Sequence, residues 1–507
     1  LDSVVLNIFT PLLNFQLLLL VAAGTFAGIY IGAIPGLSVT MAVSLLISFT
    51  FSWSTHEALA LMIGIYCGGV YGGSRSAILL NIPGAPAAIA TSFDGYPLAK
   101  CGEAGRAIGV ATVQSVLGGF IGILFLAVAA PAVSEFALKF APRDYLLLAV
   151  MGLMLVGSLG TKSTAKGLFA ASLGIVLGLV GMDTLTGQGR FTFGQVRLMG
   201  GINYVTAMIG LFGLSEALIQ VSTRNLPIIK QKIDRIIPSW GTLVKYLPLS
   251  IRTAILGVIV GALPGTGGDL AALLAYDHAK RTVKNPSRPF GQGAMEGLIA
   301  PETANNAAIG GAMIPMLTLG IPGDAVTAII IGALFIHGLK PGPMLMLDTP
   351  DLFWIIVGCL ILANIFLLVF GLTGIRIFTR LIEIPKGILI PIIITFSVIG
   401  AYAINNNIMD IYWMIGFGIL GYLFKIYDYP VGPMILGIIL GPLLDVSYRR
   451  SILYSKGNVL AFFNNILTNP ISLTLLLLIV IMAVSQSKIF GRLKTMGSTS
   501  AENESDV

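Results

Sequence analysis

The sequence predicts an all-α polytopic membrane protein, an inverted-topology repeat whose halves each carry paired re-entrant or broken helices. Composition gives the membrane: of 507 residues, 56% are hydrophobic and only 10% charged, where soluble domains average about 25% charged. Mean hydropathy is +0.91. The repeat comes from punctuation. Gly32-Ala33-Ile34-Pro35-Gly36 returns as Gly261-Ala262-Leu263-Pro264-Gly265, and Ile82-Pro83-Gly84 returns as Ile321-Pro322-Gly323. A third pair, Leu138-Lys139-Phe140-Ala141-Pro142-Arg143 and Leu381-Ile382-Glu383-Ile384-Pro385-Lys386, follows in the same order. Gly costs about 1 kcal/mol and Pro about 3 kcal/mol in a helix interior, and lipid has no water to satisfy the backbone groups a break frees. Such breaks survive mainly where they line a polar cavity. Paired breaks in two halves are therefore the best pointer to a transport site.

A full crossing needs about 20 residues. Apolar stretches approach or reach that length over 15–34, 37–51, 58–73, 77–90, 107–130, 145–160, 167–181 and 204–221. The shorter pieces flanking Pro35 and Pro83 read as half-helices or hairpin arms. The second half offers 249–263, 269–279, 294–336 (containing the second Ile-Pro-Gly), 352–374, 388–403, 411–423 and 431–444, with an unmatched segment at 471–485. The expected organisation is a first membrane repeat over 1–221, a linker over 222–248, a second, inverted repeat over 249–457, an extra membrane segment over 458–486 and a polar tail over 487–507. Leu1 to Asn14 has no Lys or Arg ahead of its apolar run, unlike a cleaved signal; the first membrane segment is expected to direct insertion.

Orientation follows from the positive-inside bias. The linker carries Arg224, Lys230, Lys232, Arg235 and Lys245, and the tail Lys488, Arg492 and Lys494. Both are expected in the cytoplasm, with the N-terminus in the periplasm. The loop after the first Pro-Gly break, Ser52 to Glu57, is free of Lys and Arg, whereas Lys280, Arg281, Lys284 and Arg288 follow the second. Arg449, Arg450 and Lys456 do not fit this scheme.

Several function classes fall away. The net charge of +7 is dispersed over loops and forms no nucleic-acid stripe. Three scattered cysteines and three isolated histidines offer neither a disulfide framework nor a metal spacing. Gly265-Thr266-Gly267-Gly268 lacks the Lys-Ser/Thr of a phosphate-binding loop, and no nucleophile–base pair suggests an enzyme. No cofactor is expected beyond a coupling sodium ion.

Candidate binding residues cluster at the breaks: Pro35, Gly36, Ser38 and Thr40; Asn81, Pro83 and Gly84; Pro264, Gly265 and Thr266; Pro322 and Gly323. Free amides at a half-helix N-terminus suit a carboxylate, and unwound carbonyls suit a cation. The bland alternative is a kink in a packed helix. Pro301-Glu302-Thr303-Ala304-Asn305-Asn306 is the densest polar cluster in an apolar stretch. An ionisable group at bilayer depth costs at least about 2.5 kcal/mol and is functional by default. Glu302 is a candidate for a coupling cation or proton, and Asn305 and Asn306 for substrate or ion; a surface helix cap is the alternative. Arg75, the lone cation before Lys100, is poised to pair with a carboxylate or to snorkel. Asp269 is a coupling-ion candidate and Asp324 a further one, with helix capping as the alternative role.

Beyond these features, Gly32 to Gly36, Tyr71 to Gly84, Asp94-Gly95-Tyr96-Pro97, Arg190-Phe191-Thr192-Phe193-Gly194, Pro301 to Ala307, Leu319 to Gly323, His337 to Pro343 and Leu440 to Leu444 resemble the large membrane subunit of the tripartite tricarboxylate transporters. The resemblance spans roughly Leu12 to Leu475. Arg75 stands where that family usually has a small or apolar residue, and Asp445 where glutamate is commoner. The resemblance implies a bacterial inner-membrane permease working with a small four-helix membrane subunit and a periplasmic solute-binding protein. It implies uptake of citrate-like tricarboxylates or dicarboxylates on a sodium or proton gradient, with an elevator-type mechanism by analogy of layout. The competing reading is an ion or anion channel with glycine-rich filter segments.

Overall fold

The computed structural model describes residues 2–34, 37–158, 164–183, 185–222, 236–374 and 386–486. Pro35 and Gly36, residues 223–235 of the linker, residues 381–385 and the tail lie outside them. The first half runs α1 (Asp2–Leu13), α2 (Phe15–Ala33), α3 (Val39–Thr50), α4 (Thr55–Leu80), α5 (Ala88–Leu98), α6 (Ala104–Ala137), α7 (Pro142–Ser158) and α8 (Thr164–Gly178). A two-stranded antiparallel hairpin follows, Gly181–Met182 against Gly189–Arg190, and then α9 (Tyr204–Met208), a π-helical turn (Ile209–Leu214) and α10 (Ser215–Ser222). The second half runs α11 (Trp240–Gly261), α12 (Gly267–Thr282), α13 (Met295–Leu319), α14 (Ala325–Ile336), α15 (Leu345–Asp348) and α16 (Pro350–Thr373). It ends with α17 (Lys386–Asn405), α18 (Ile408–Ile426), α19 (Val431–Tyr454), α20 (Val459–Thr468) and α21 (Pro470–Gln486). Among the described residues seven helices are long and apolar enough to cross a membrane, or eight if α20 and the start of α21, bent by 93°, count as one span.

The predicted repetition reappears in three dimensions as matching backbone contacts. Helices α2 and α4 pack so closely that a Cβ on Gly28 would lie 2.5 Å from the Ile65 carbonyl oxygen, and one on Gly32 2.2 Å from that of Gly69. Helices α11 and α13 repeat the pattern: Gly257 meets Ala304 O at 2.3 Å and Gly261 meets Ala308 O at 2.4 Å. Lipid tails give no hydrophobic drive between helices, so small residues that let backbones touch do the work through dispersion. Helix α4 ends on Asn81 in the left-handed region (φ 57°), and α13 on Gly320 (φ 70°). Each closes in the same way, with Ile82 N donating to Ser76 O at 3.5 Å and Ile321 N to Pro315 O at 3.2 Å. The glycine of each Ile-Pro-Gly then abuts the end of the first helix of its own pair, Gly84 against Gly32 O and Gly323 against Gly261 O.

Around these two hairpins α6 crosses α13, and α16 crosses both α4 and α6. The flanks exchange helices: α8 packs on α19 from the other half, with Gly174 against Met434 O and Gly437 against Ala171 O, while the π-turn after α9 packs on α18 with Gly210 against Met414 O.

Boundaries differ from expectation in instructive places. Gly72-Gly73-Ser74-Arg75-Ser76 separates two apolar stretches in the sequence but lies inside α4, with Ser74, Arg75 and Ser76 all fully buried. Its polar groups find partners within the bundle. Helix α19 continues through its charged turn to Tyr454 because those charges neutralise one another. Helix α1 has no counterpart among the apolar stretches, and the segment expected over 458–486 is two helices, α20 and α21, bent by 93°.

A branched side chain at Gly257 has nowhere to go, and overpacking typically costs about 1–3 kcal/mol. Gly257→Val should lower the melting midpoint of the detergent-purified protein and its yield. Gly416→Ala, with no atom within 4 Å of the new Cβ, should leave both near wild type, as read by fluorescence-detected size exclusion after heating.

Candidate functional site

Each break carries polar groups that meet its freed backbone. After the first, Ser38 caps α3, its Oγ accepting from Met41 N at 3.1 Å and lying 2.9 Å from Thr40 Oγ1. After the second-half counterpart, the Thr266 hydroxyl donates to Val260 O and, at 3.0 Å, to Leu263 O. Both carbonyls also accept a backbone amide, Val260 O from Leu263 N at 3.0 Å and Leu263 O from Thr266 N at 3.3 Å. Gly265 sits at φ 76° and Gly267 at φ 60°, where a side chain would be strained. Beyond the other break, Asp324 caps α14 in a reciprocal box with Thr327, whose amide donates to Oδ1 at 2.7 Å. Asp324 thus has the capping role weighed against ion binding.

Contacts between the halves gather here. Asp269 Oδ1, in the first turn of α12, accepts from the Ala87 amide at 3.0 Å, joining one half's break to the other's half-helix. Tyr66, midway along α4, donates its hydroxyl to Asp324 Oδ2. Asn305 donates through Nδ2 to Val70 O at 3.4 Å, and a Cβ on Gly268 would fall 2.1 Å from its Oδ1. Asn81 and Asp269 are exposed, and Ser38, Thr40, Pro83, Gly84, Gly265 and Asp324 partly so, whereas α4 and α13 on either side are buried. Pro264, Pro322 and Gly323 are buried behind this accessible rim. Two pockets lie elsewhere, one lined by Pro142, Tyr454 and Phe462, the other by Thr10, His56 and Glu57.

The Pro301–Asn306 cluster divides by helix face. Successive residues are turned by about 100° around the helix, so Asn305 and Asn306 point to different sides, whereas Glu302 and Asn306, four apart, share a face. Asn305 looks to the rim between α4 and α12. Glu302 lies on the other side, only 1% exposed, where three helices each send it a hydroxyl. Ser74 of α4 and Thr91 of α5 donate to Oε1, both at 2.5 Å, and Ser115 of α6 donates to Oε2 at 2.9 Å. Asn306, one turn on, donates through Nδ2 to Glu302 O at 3.1 Å. Ser74, Thr91, Ser115 and Tyr66 escape sequence reasoning. A hydroxyl within an apolar helix ordinarily back-bonds to its own turn, and only the crossing geometry turns these toward a partner.

Arg75 is held by protein carbonyls. Its Nη2 donates to Phe370 O at 3.0 Å and Gly371 O at 2.6 Å, and its Nε to Tyr71 Oη at 3.2 Å. A guanidinium against the last carbonyls of α16 complements the negative end of the helix dipole, and Tyr30 adds a bond to Gly374 O at 3.0 Å. Asp94, noted in the sequence only within Asp-Gly-Tyr-Pro, fills a backbone nest. Its Oδ1 accepts from Gly291 N, Gly293 N and Ala294 N at 2.7–2.8 Å and its Oδ2 from Tyr276 Oη at 2.9 Å. This fixes α5 to the entrance of α13.

At one end of the flank, Asp183, Arg190, Asp445 and Arg449 alternate in a ring: Arg449–Asp183 2.7 Å, Arg449–Asp445 3.0 Å, Arg190–Asp445 2.9 Å and Arg190–Asp183 3.5 Å. Amides of Leu185 and Thr186, with Arg190 beside them, hold the Asp183 carboxyl below the usual carboxylate range. Asp445 accordingly has a structural task, and Arg449 carries no unbalanced charge.

Fold and site together define a multi-pass, all-α membrane protein whose paired broken helices bring polar groups of both halves to one accessible place. The chain belongs to the tripartite tricarboxylate transporter TctA family, whose family model matches residues 18–436. It is 39% identical over 459 residues, 89% of each chain, to an uncharacterized 52.8 kDa protein in the TAR-I ttuC' 3' region of Agrobacterium vitis. It is 42% identical over 220 residues to an uncharacterized protein in the TAR-II ttuC' 3' region of the same organism, covering 43% of this chain and 89% of that one. No solved structure matches the chain.

The Arg75 geometry makes a separable prediction. Arg75→Ala removes the guanidinium's bonds to Phe370 O and Gly371 O, and losing a charged hydrogen bond costs about 1.5–3 kcal/mol. The variant should melt earlier than wild type and than Arg75→Lys. An unchanged midpoint with weakened substrate affinity would instead return Arg75 to the binding residues.

Proposed function

We propose that this chain is the permease that carries a citrate-like tricarboxylate or a dicarboxylate across the bacterial inner membrane, driven by a sodium or proton gradient. It works with a small four-helix membrane subunit and a periplasmic solute-binding protein. The observation that carries the reading is the bond from the Ala87 amide to Asp269, because it joins a half-helix of one repeat to the break of the other. Amides and hydroxyls of Ser38, Thr40, Asn81, Gly84, Gly265, Thr266 and Asn305 are the groups assigned to the substrate carboxylates.

Asp269 and Asp324 give this site a physical reason for coupling. Two carboxylates at the rim repel an anionic cargo, most strongly once closure lowers the local dielectric. The cargo therefore gains stability when a cation or proton enters with it and offsets that charge. Ion and substrate favour the closed state together, and neither does so enough alone.

The linker is assigned to the cytoplasm and the N-terminus to the periplasm. That assignment rests on the Lys and Arg of the linker and tail.

The test is uptake of labelled citrate and succinate by vesicles containing the chain with its companion subunits, with and without sodium and across pH. Asp269→Asn should reduce uptake at least about tenfold, the loss expected from about 1.4 kcal/mol, and shift its ion dependence. Gly265→Val, at a positive φ, should reduce uptake with membrane insertion unchanged. Wild-type uptake in both variants would overturn the site, and current without a coupling ion or binding protein would favour a channel.

A further inference from the structure

We propose that Glu302, Asn306, Ser74, Thr91 and Ser115 form a site for a single desolvated monovalent cation, separate from the accessible rim at the breaks. The proposal deepens the reading of an ion-coupled importer and rests on it.

The donor set consists entirely of oxygens. It comprises the Glu302 carboxylate, the hydroxyls that touch it at 2.5, 2.5 and 2.9 Å, and the amide oxygen of Asn306. Each of these residues is at most 2% exposed. Among the described residues no ion pair reaches Glu302, and Arg75, one position after Ser74, is committed to the carbonyls of α16. Three neutral donors reduce the cost of burying the carboxylate but leave its charge uncancelled.

Asn306 points independently to a ligand. Its Nδ2 is used by Glu302 O, while its Oδ1 is buried with no hydrogen-bond partner. It stands one helical turn from Glu302 on the same face. The cluster therefore holds an excess of lone pairs over donors. A cation meets both requirements at once.

The hydroxyls can make the exchange without leaving protons stranded. Ser74, Thr91 and Ser115 are interior to α4, α5 and α6, so each can turn its hydrogen to the carbonyl four residues earlier in its own helix and its lone pair to the ion. Hard oxygen ligands suit alkali and alkaline-earth ions. One carboxylate balances one positive charge, which favours the monovalent ion. A route to the rim is built in: Thr91 lies one turn after Ala87, whose amide Asp269 holds, so a ligand that fixes Thr91 also fixes the break.

The experiment uses the full chain in detergent without substrate, measuring 22Na+ binding and the melting midpoint against NaCl at constant ionic strength, with choline, KCl and pH series alongside. Wild type should bind sodium saturably and melt later as NaCl rises. Glu302→Gln and Asn306→Ala should lose at least tenfold in sodium affinity, and Ser115→Ala a smaller factor. Gly416→Ala, whose new Cβ meets no atom within 4 Å, should retain wild-type sodium binding. Asn306→Ala and Ser115→Ala protect the test if Glu302→Gln fails to fold, since both truncations leave the carboxylate in place.

Sodium binding unchanged in Asn306→Ala and Ser115→Ala overturns the proposal. So does a wild-type midpoint that follows pH alone, which would make Glu302 a proton site. If vesicles import carboxylate while the chain binds no sodium or other alkali ion, the cation site falls and the importer stands. If sodium binds as expected and no carboxylate is carried, the reverse holds.

Discussion

The governing constraint is that a helix broken inside lipid must find partners for its own backbone. An unmet peptide group in hydrocarbon costs several kcal/mol, so a break is stable only where polar side chains or a neighbouring backbone are at hand. At Pro264 the Thr266 hydroxyl reaches Val260 O at the end of α11 and Leu263 O just past it; at Pro322 the Asp324–Thr327 box serves the Asp324 and Thr327 amides at the start of α14. The same requirement draws α2 onto α4 and α11 onto α13, because glycines at the crossings let one backbone lie against the next. The duplicated hairpins, the polar rim and the small-residue crossings are three consequences of one solvent.

That constraint also explains what could be read from the sequence. Pro and Gly act locally, so the breaks at Gly261–Gly265 and at both Ile-Pro-Gly runs are visible without knowing what they touch. Hydropathy marks most spans to within a few residues. It fails at Gly72–Ser76, where the polar residues that suggested an interruption are continuous helix. Local polarity cannot distinguish a residue facing lipid from one facing a partner hundreds of positions away. Arg75 is the clearest instance: its acceptors are carbonyls at 370 and 371, and a carbonyl has no signature in the sequence. Asp94 escaped for the same reason, since its partners are amides. Of Glu302 the sequence showed that it is costly and in need of partners. Which three hydroxyls answer it depends on how α4, α5, α6 and α13 cross.

The charged ring on the flank shows the same logic at the edge of the membrane. Counting arginines treats every cation as exposed, yet Arg449 is tied to Asp183 and Asp445 and contributes little net charge to the face it lies on. The positive-inside bias counts Lys and Arg rather than net charge, so Arg449, Arg450 and Lys456 stay outside the simple scheme even though Arg449 is paired.

Helix α13 carries the two faces that a coupled carrier needs to keep apart. Asn305 looks to the rim and reaches Val70 on α4; Glu302 and Asn306 look to a sealed compartment between α4, α5 and α6. If the two compartments were one, an ion bound to Glu302 would sit in water and lose most of its influence on the cargo to dielectric screening. If they were unconnected, occupancy of one could not bias the other. The rotation of about 100° per residue in an α-helix turns neighbouring side chains outward and inward on one rigid rod. The single turn from Ala87 to Thr91 then joins the sealed side to the open one, one residue bonded to Asp269 and the other to Glu302.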